Sequence, residues 1–172
     1  MKFEHVIGDI FRSGCSTLVN PVNCKGVMGK GLAEAFRLKY PEIYGPYKYM
    51  CHKKYLAPGK LHTVRTNDGR LVVNFPTKDD WMSGSEMSYV ADGLQALAEL
   101  LVITNIRSIA IPKLGCGCGG LKWKKVHDLI YDVLGNLNLI DNDVCSVGFI
   151  GQREILVEIY GEPMTGKGEL TS

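Results

Sequence analysis

The sequence predicts a three-layer α/β domain on a mixed, mostly parallel central sheet. Three observations predict it. Strand-like and helical segments alternate along most of the 172 residues. The clearest strands are short apolar runs of the kind buried on both faces of a parallel sheet. Two glycine-rich stretches each stand between a strand and a helix, the position at which parallel α/β sheets bind ligands.

Taken in order, Phe3 to Ile10 reads as a first strand and Thr17-Leu18-Val19-Asn20 as a second. From Lys30 to Tyr40, Leu32, Ala33, Ala35, Phe36 and Leu38 recur at helical spacing, and Pro41 supplies a stop. Tyr40 to Leu56 holds five tyrosines and several lysines, and its pattern assigns no element. Lys60 to Thr66 and Arg70 to Phe75 form a hairpin through Asn67-Asp68-Gly69. Ser85 to Leu101 is an amphipathic helix, with Met87, Val90, Leu94, Leu97, Ala98 and Leu101 on one side. A buried strand at Ser108 to Pro112, a helix from Lys122 to Leu134, a strand near Val144 to Ile150 and a last strand at Glu154 to Tyr160 complete the series. Residues 1–160 are expected to form one domain and residues 161–172 a flexible, polar C-terminal tail. There is no internal repeat and no linker.

Composition narrows the function. The chain is 45% hydrophobic and 22% charged, as in ordinary globular proteins, with a formal net charge of +2. That surplus is too small for a protein that coats duplex DNA, although a local basic patch would be hidden in the sum. No apolar run approaches the roughly 20 residues of a membrane span, and Met1-Lys2-Phe3-Glu4-His5 enters a strand without a signal-peptide apolar region. A cytoplasmic protein, a monomer with no membrane association, is expected. The six cysteines include one close pair, Cys116 and Cys118, spaced too tightly for a zinc ribbon or redox motif. Free thiols are expected, with no metal and no cofactor. His5, His52, His62 and His127 make no catalytic pattern.

The chemistry therefore falls to the two loops. The first runs from Asn20 to Gly31 and contains Gly26, Gly29 and Gly31 ahead of a helix. Glycines let backbone approach a ligand, and a helix N-terminus presents unpaired N–H groups with partial positive charge. The second runs from Leu114 to Leu121, with four glycines within six residues, which suits a backbone nest for phosphate oxygens. Neither is a Walker A loop or a Gly-X-Gly-X-X-Gly fingerprint, and each singly is also compatible with a plain tight turn. Together they point to a diphosphate held between them.

With Gly8-Asp9-Ile10-Phe11, Val19-Asn20-Pro21-Val22-Asn23, Gly26-Val27-Met28-Gly29-Lys30-Gly31, Ile111-Pro112-Lys113-Leu114-Gly115-Cys116-Gly117 and Gly120-Leu121-Lys122-Trp123 in this order, the sequence resembles the macrodomain family from about Met1 to Tyr160. The Val-Met-Gly-Lys-Gly form of the first loop, and Asn74-Phe75-Pro76-Thr77-Lys78, resemble the branch holding the DNA ADP-ribosyl glycohydrolase antitoxins and the terminal ADP-ribose protein glycohydrolases. The resemblance implies an α/β/α macrodomain that binds ADP-ribose. Asp9 would accept from the adenine amino group, with Gly8 and the Ile10 N–H beside it. Asn20 and Asn23 would line the first loop, Asn23 nearer the distal ribose. Met28, Gly29, Lys30 and Gly31 would wrap distal ribose and diphosphate. Gly115, Cys116, Gly117, Cys118 and Gly119 would cradle the diphosphate from the other side, with Leu114 as a wall. Read without the family, Asp9 is a helix cap, the asparagines are turn residues, and Trp123 packs a helix start.

In the branch it resembles, hydrolysis falls to a lysine at the place of Lys78, so the resemblance makes Lys78 the catalytic residue. A neutral lysine amine can attack the anomeric carbon of the distal ribose, and water then resolves the intermediate. Exposed lysines are mostly protonated at neutral pH, so partial burial or nearby positive charge is required, with Lys25, Lys30 and Lys113 as sources. Asp79 and Asp80 act in the opposite sense, and the plain reading of Lys78 is a surface lysine in a polar turn. The protein-directed members carry an aspartate in the stretch matching Cys118-Gly119-Gly120. Its absence here shifts the expected substrate towards ADP-ribosylated DNA, with a toxin as the implied partner. The alternatives are a non-catalytic ADP-ribose reader and an ADP-ribose 1″-phosphate phosphatase.

Overall fold

The computed structural model describes residues 1–137 and 154–164. Their strands are β1 (Lys2–Val6), β2 (Thr17–Val22), β3 (His62–Arg65), β4 (Leu71–Pro76), β5 (Ser108–Pro112) and β6 (Leu156–Tyr160). The helices are α1 (Gly31–Lys39), α2 (Tyr44–His52), α3 (Met87–Ile103) and α4 (Trp123–Leu134). The expected strand at Val144 to Ile150 lies outside the described residues, as does the tail from residue 165.

The strands form a single sheet in the order β1-β6-β5-β2-β4-β3, parallel throughout except for β3, which pairs antiparallel with β4 at the edge. Helices cover both faces, and strand side chains alternate between the two layers as the pleat requires. Val19, Val73, Phe75, Ile109, Ile111, Val157 and Ile159 pack under α3 and α4. Leu18, Val22, Val72 and Ala110 face Phe36, Tyr40, Ile43 and Tyr47 of the α1–α2 layer. The close approach of α3 to β4 depends on Gly93, where a Cβ would come within 2.9 Å of Phe75 Cε2 and nearer still to two other ring atoms. No helix among the described residues is long and apolar enough to cross a membrane.

The largest departures from the sequence expectation are at the end of β1 and in the tyrosine-rich stretch, and β2 also runs on to Val22, past the expected end at Asn20. β1 ends at Val6, because Gly8 turns the chain at φ +152° and Asp9 caps a short 3-10 turn at Ile10–Arg12, its Oδ1 accepting from Phe11 N at 3.0 Å. The unassigned tyrosine-rich stretch folds as a 3-10 turn at Pro41–Ile43 running into α2. Pro46 falls in the first turn of α2, where no N–H is lost from the helix ladder. Its buried residues are Tyr47 and Cys51, so the apolar stripe was disguised by an aromatic with a polar tip.

Beneath β1, two histidines share a hydrogen-bonded cluster with α4. His5 Nδ1 lies 3.3 Å from Gly161 O, and its Nε2 lies 3.1 Å from Tyr131 Oη and 3.4 Å from His127 Nε2. These contacts are satisfied when His5 donates through Nδ1 and accepts at Nε2. His127 is fully buried; burial, the dominant cause, holds its pKa below the usual histidine value, and the His5 ring lowers it further, while neighbouring Asp128 opposes the shift. A folded pKa below the unfolded one gives stability that is complete above about pH 6.5 and is lost as the pH falls below it. Thermal melts should therefore show a lower Tm at pH 5 than at pH 7.5, and His127→Gln should flatten that slope. An unchanged slope in the variant would exclude this cluster as its source.

Candidate functional site

The parallel strands deliver their carboxyl ends to one edge of the sheet, and two adjacent recesses open there. The larger, of about 660 Å³, lies beyond β5, β2 and β4 and is walled by both glycine-rich loops and by the segment following β4. The smaller, of about 380 Å³, lies at the ends of β1 and β6 and is lined by Val6, Ile7, Gly8, Asp9, Arg12 and Tyr160. A recess at the carboxyl edge, in two parts, suits an elongated ligand.

The first loop is shaped by Asn23. Its Nδ2 donates to Val27 O at 2.7 Å, and its Oδ1 accepts from Lys25 N at 2.9 Å and from Tyr47 Oη at 3.0 Å. Tyr47 also donates to Asn23 O at 2.8 Å, so a residue of α2 braces the loop from below. Arg37 Nε holds Met28 O at 2.9 Å. The loop ends on Lys30, the extended N-cap of α1, which makes no side-chain cap bond. The N-terminal amides of α1 therefore remain available on the cleft side, where Gly31, Leu32 and Ala33 line the wall.

The second loop is closed on itself and on the start of α3. Cys116 N donates to Lys113 O, Gly120 N to Gly117 O and Leu121 N to Gly115 O. Ser85 N donates to Gly119 O at 2.9 Å. The N–H groups of Gly117, Cys118 and Gly119 have no backbone partner among the described residues and lie on the cleft wall, as a nest for anionic oxygens requires. Gly115 sits at φ +69°, and a Cβ there would meet Leu121 Cδ1 at 2.8 Å and Ser85 Cβ at 2.9 Å. Only glycine fits that turn without displacing the loop.

Lys78, half-buried in the segment after β4, lines the same cleft and donates from Nζ to Cys118 O at 2.9 Å. It thus ties the end of β4 to the second loop. Of the three lysines named as sources of positive charge, Lys25 pairs with Asp79 at 3.4 Å and Lys113 pairs with Glu162, while exposed Lys30 lines the cleft. Asp80 caps the following turn, its Oδ1 accepting from Met82 N at 2.9 Å. Two thiols nearby are poor nucleophiles. Burial, reinforced by Asp79, pushes Cys24 up to about 12, and burial pushes Cys116 up to about 11.

The sequence-predicted residues therefore separate into three groups. Asn23, Gly29, Lys30, Gly31, Lys78, Gly115, Cys116, Gly117, Cys118 and Gly119 line the larger recess. Gly8 and Asp9 line the smaller one, beside Tyr160. Ile10, Asn20, Met28 and Leu114 are buried beneath them. Asn20 is a sheet residue in register with Asn74, and its Nδ2 donates to Asn74 Oδ1 at 3.0 Å. Sequence reasoning missed Trp81 and Ser85, which line the larger recess from the segment between β4 and α3. The Ser85 side chain is buried, and its Oγ has no hydrogen-bond partner among the described residues. Trp123 packs at the start of α4, with Nε1 donating to Glu162 O at 2.9 Å.

Comparison with known proteins agrees with this architecture. The Macro domain family profile matches residues 19–130. A protein of Mycobacterium tuberculosis named DNA ADP-ribosyl glycohydrolase is 39% identical over 137 residues, covering 78% of this chain and 39% of the relative. A DNA ADP-ribosyl transferase–DNA ADP-ribosyl glycohydrolase fusion protein of Thermosipho africanus is 36% identical over 152 residues, covering 78% of the chain and 39% of the relative. The chain thus spans about two fifths of the length of these relatives. Among solved structures, the macrodomain of M. tuberculosis DarG superposes with a TM-score of 0.80 at 33% identity, covering 93% of this chain and 98% of that one. Strand order, paired glycine loops and family profile lead to one conclusion: the chain belongs to the macrodomain family.

Proposed function

We propose that this protein is an ADP-ribosyl glycohydrolase that releases ADP-ribose from modified DNA. In this reading the adenosine lies in the smaller recess with Asp9, and the diphosphate lies between the α1 N-terminus and the amides of Gly117, Cys118 and Gly119. The distal ribose then reaches Lys78. One observation carries the catalytic part: Lys78 Nζ is held at 2.9 Å from Cys118 O, within the cleft that both glycine loops wall. The relatives named as DNA ADP-ribosyl glycohydrolases, and the Thermosipho africanus DarTG structure with ADP-ribose, at TM-score 0.77 and 34% identity, support the same ligand.

The chemistry follows from the amine. In its neutral form a lysine amine keeps two N–H bonds, so one given to Cys118 O would leave its lone pair free for the ribose. Nitrogen bonds to the anomeric carbon as the bond to the base breaks, the electron pair leaves with the base, and water or a substrate hydroxyl supplies the base with its proton. Water then adds at the same carbon, freeing the amine and ADP-ribose.

DNA is favoured over protein by charge as well as by the missing second-loop aspartate. Residues 25–60 carry eight lysines and arginines against two glutamates, a local +6, while the whole chain is only +2 and the remainder is therefore −4. This stretch includes α1 and α2, which form the layer beside the first loop. We place a DNA ADP-ribosyl transferase opposite this chain as its functional partner, the two activities that the fusion relative's name joins. The test is incubation with an ADP-ribosylated single-stranded oligonucleotide, ADP-ribosylated protein and ADP-ribose 1″-phosphate in parallel. ADP-ribose should be released from the oligonucleotide, faster at low salt. Binding without release would make the chain a reader, and phosphate release alone would make it a phosphatase.

A further inference from the structure

Trp81 stands out as a large aromatic that the fold leaves in water. Its side chain is 53% exposed, on the segment between Lys78 and α3, and it lines the cleft that contains Lys78. The other tryptophan, Trp123, is used structurally: it bonds Glu162 O and meets His127 edge-on. Trp81 meets no other aromatic ring among the described residues in a stacked or edge-on contact.

The backbone that carries it is nonetheless braced on both sides. Cys24 N donates to Asp79 O at 3.0 Å and Lys25 pairs with Asp79, which ties the segment to the first loop. Ser83 N donates to Asp80 O at 3.2 Å, and Ser85 N bonds Gly119 O, which ties it to the second. Fixed backbone under an exposed, flat, apolar ring is what a stacking platform needs, because the ordering cost is met before the ligand arrives. Trp81 lines the recess that contains the proposed nucleophile, and in the glycohydrolase reading the base that leaves the distal ribose departs beside that nucleophile.

We propose that Trp81 is the stacking platform for the nucleobase that bears ADP-ribose, and so a specificity-determining residue for nucleic-acid substrates. The inference rests on the glycohydrolase reading for the position of the leaving group. Base–aromatic stacking is sequence-tolerant and weakens binding about tenfold when removed, whereas the carboxyl group of a modified aspartate or glutamate offers the ring a much smaller plane.

Binding separates this inference from turnover. In a Lys78→Ala background, Trp81→Ala should weaken an ADP-ribosylated single-stranded oligonucleotide about tenfold, while Trp81→Phe should lose no more than about threefold. Free ADP-ribose should change less than about twofold in either. The oligonucleotide should also quench tryptophan emission in a Trp123→Phe chain, where Trp81 is the remaining tryptophan of the two. Equal losses for oligonucleotide and free ADP-ribose would make Trp81 a wall of the ADP-ribose site and overturn the inference, as would no loss at all. An equal loss for an ADP-ribosylated peptide would overturn its nucleobase specificity. Failure of the glycohydrolase reading would show separately, as wild-type protein that leaves the oligonucleotide intact.

Discussion

Replacing Lys78 with alanine should reduce release of ADP-ribose from modified DNA by at least about a hundredfold while leaving ADP-ribose bound. The asymmetry follows from where the side chain acts. The substitution removes a nucleophile and one hydrogen bond to the backbone of Cys118, an exposed residue within reach of water. It leaves in place the free amides of the second loop and the N-terminus of α1, the groups proposed to hold the diphosphate. Calorimetry with ADP-ribose and a release assay on the same preparation would measure both. Lys78→Arg should fail to restore turnover, since guanidinium keeps the charge but stays protonated. Undiminished release by Lys78→Ala would sink the covalent mechanism.

The second large effect is expected at Gly119. A Cβ there would stand 2.7 Å from Ser85 Cβ and closer still to Ser85 Oγ and Gly115 O. Neither neighbour can yield easily, because Ser85 is buried at the entry to α3 and the Gly115 oxygen belongs to the backbone of the same loop. Gly119→Ala must therefore push the loop outward and misalign the amides of Gly117, Cys118 and Gly119. Displacement of about 1 Å in a positioned group can cost about a hundredfold, so ADP-ribose affinity should fall by between about tenfold and a hundredfold. Overpacking of this kind also costs about 1–3 kcal/mol of stability, which a denaturant melt would report. Gly14→Ala, with open space around its Cβ, controls for the loss of a glycine as such. Unaltered ADP-ribose affinity in folded Gly119→Ala protein would show that the second loop is not the cradle.

Both loops are legible in the sequence, because their signals are local. Glycines clustered between an apolar strand and an amphipathic helix reveal a close-approach loop at the carboxyl edge of the sheet, whatever surrounds them. Asn23 is a different case. Its place in the first loop was clear, but its side chain is shared among Lys25, Val27 and Tyr47, and Tyr47 belongs to the helix that the pattern did not assign. Asn20 likewise read as a loop residue; the parallel register of β2 with β4 turns it instead onto Asn74. Trp81 and Ser85 gave no motif at all. They enter the cleft because the segment after β4 is anchored to both loops by backbone hydrogen bonds, contacts that no spacing rule encodes.

The α/β class, the parallel core strands and the two glycine loops are written in the sequence, since each depends on residues near one another in the chain, whereas Lys78 stands out there only through the family resemblance. It is the packed chain that brings Lys78 to Cys118, sets α2 beneath the first loop, puts Asp9 and Tyr160 in one recess and leaves Trp81 exposed beside the cleft. The physical reason is range. Periodicity and backbone preference act over a few residues, whereas a site at a sheet edge is assembled by strand order, which brings together residues dozens of positions apart.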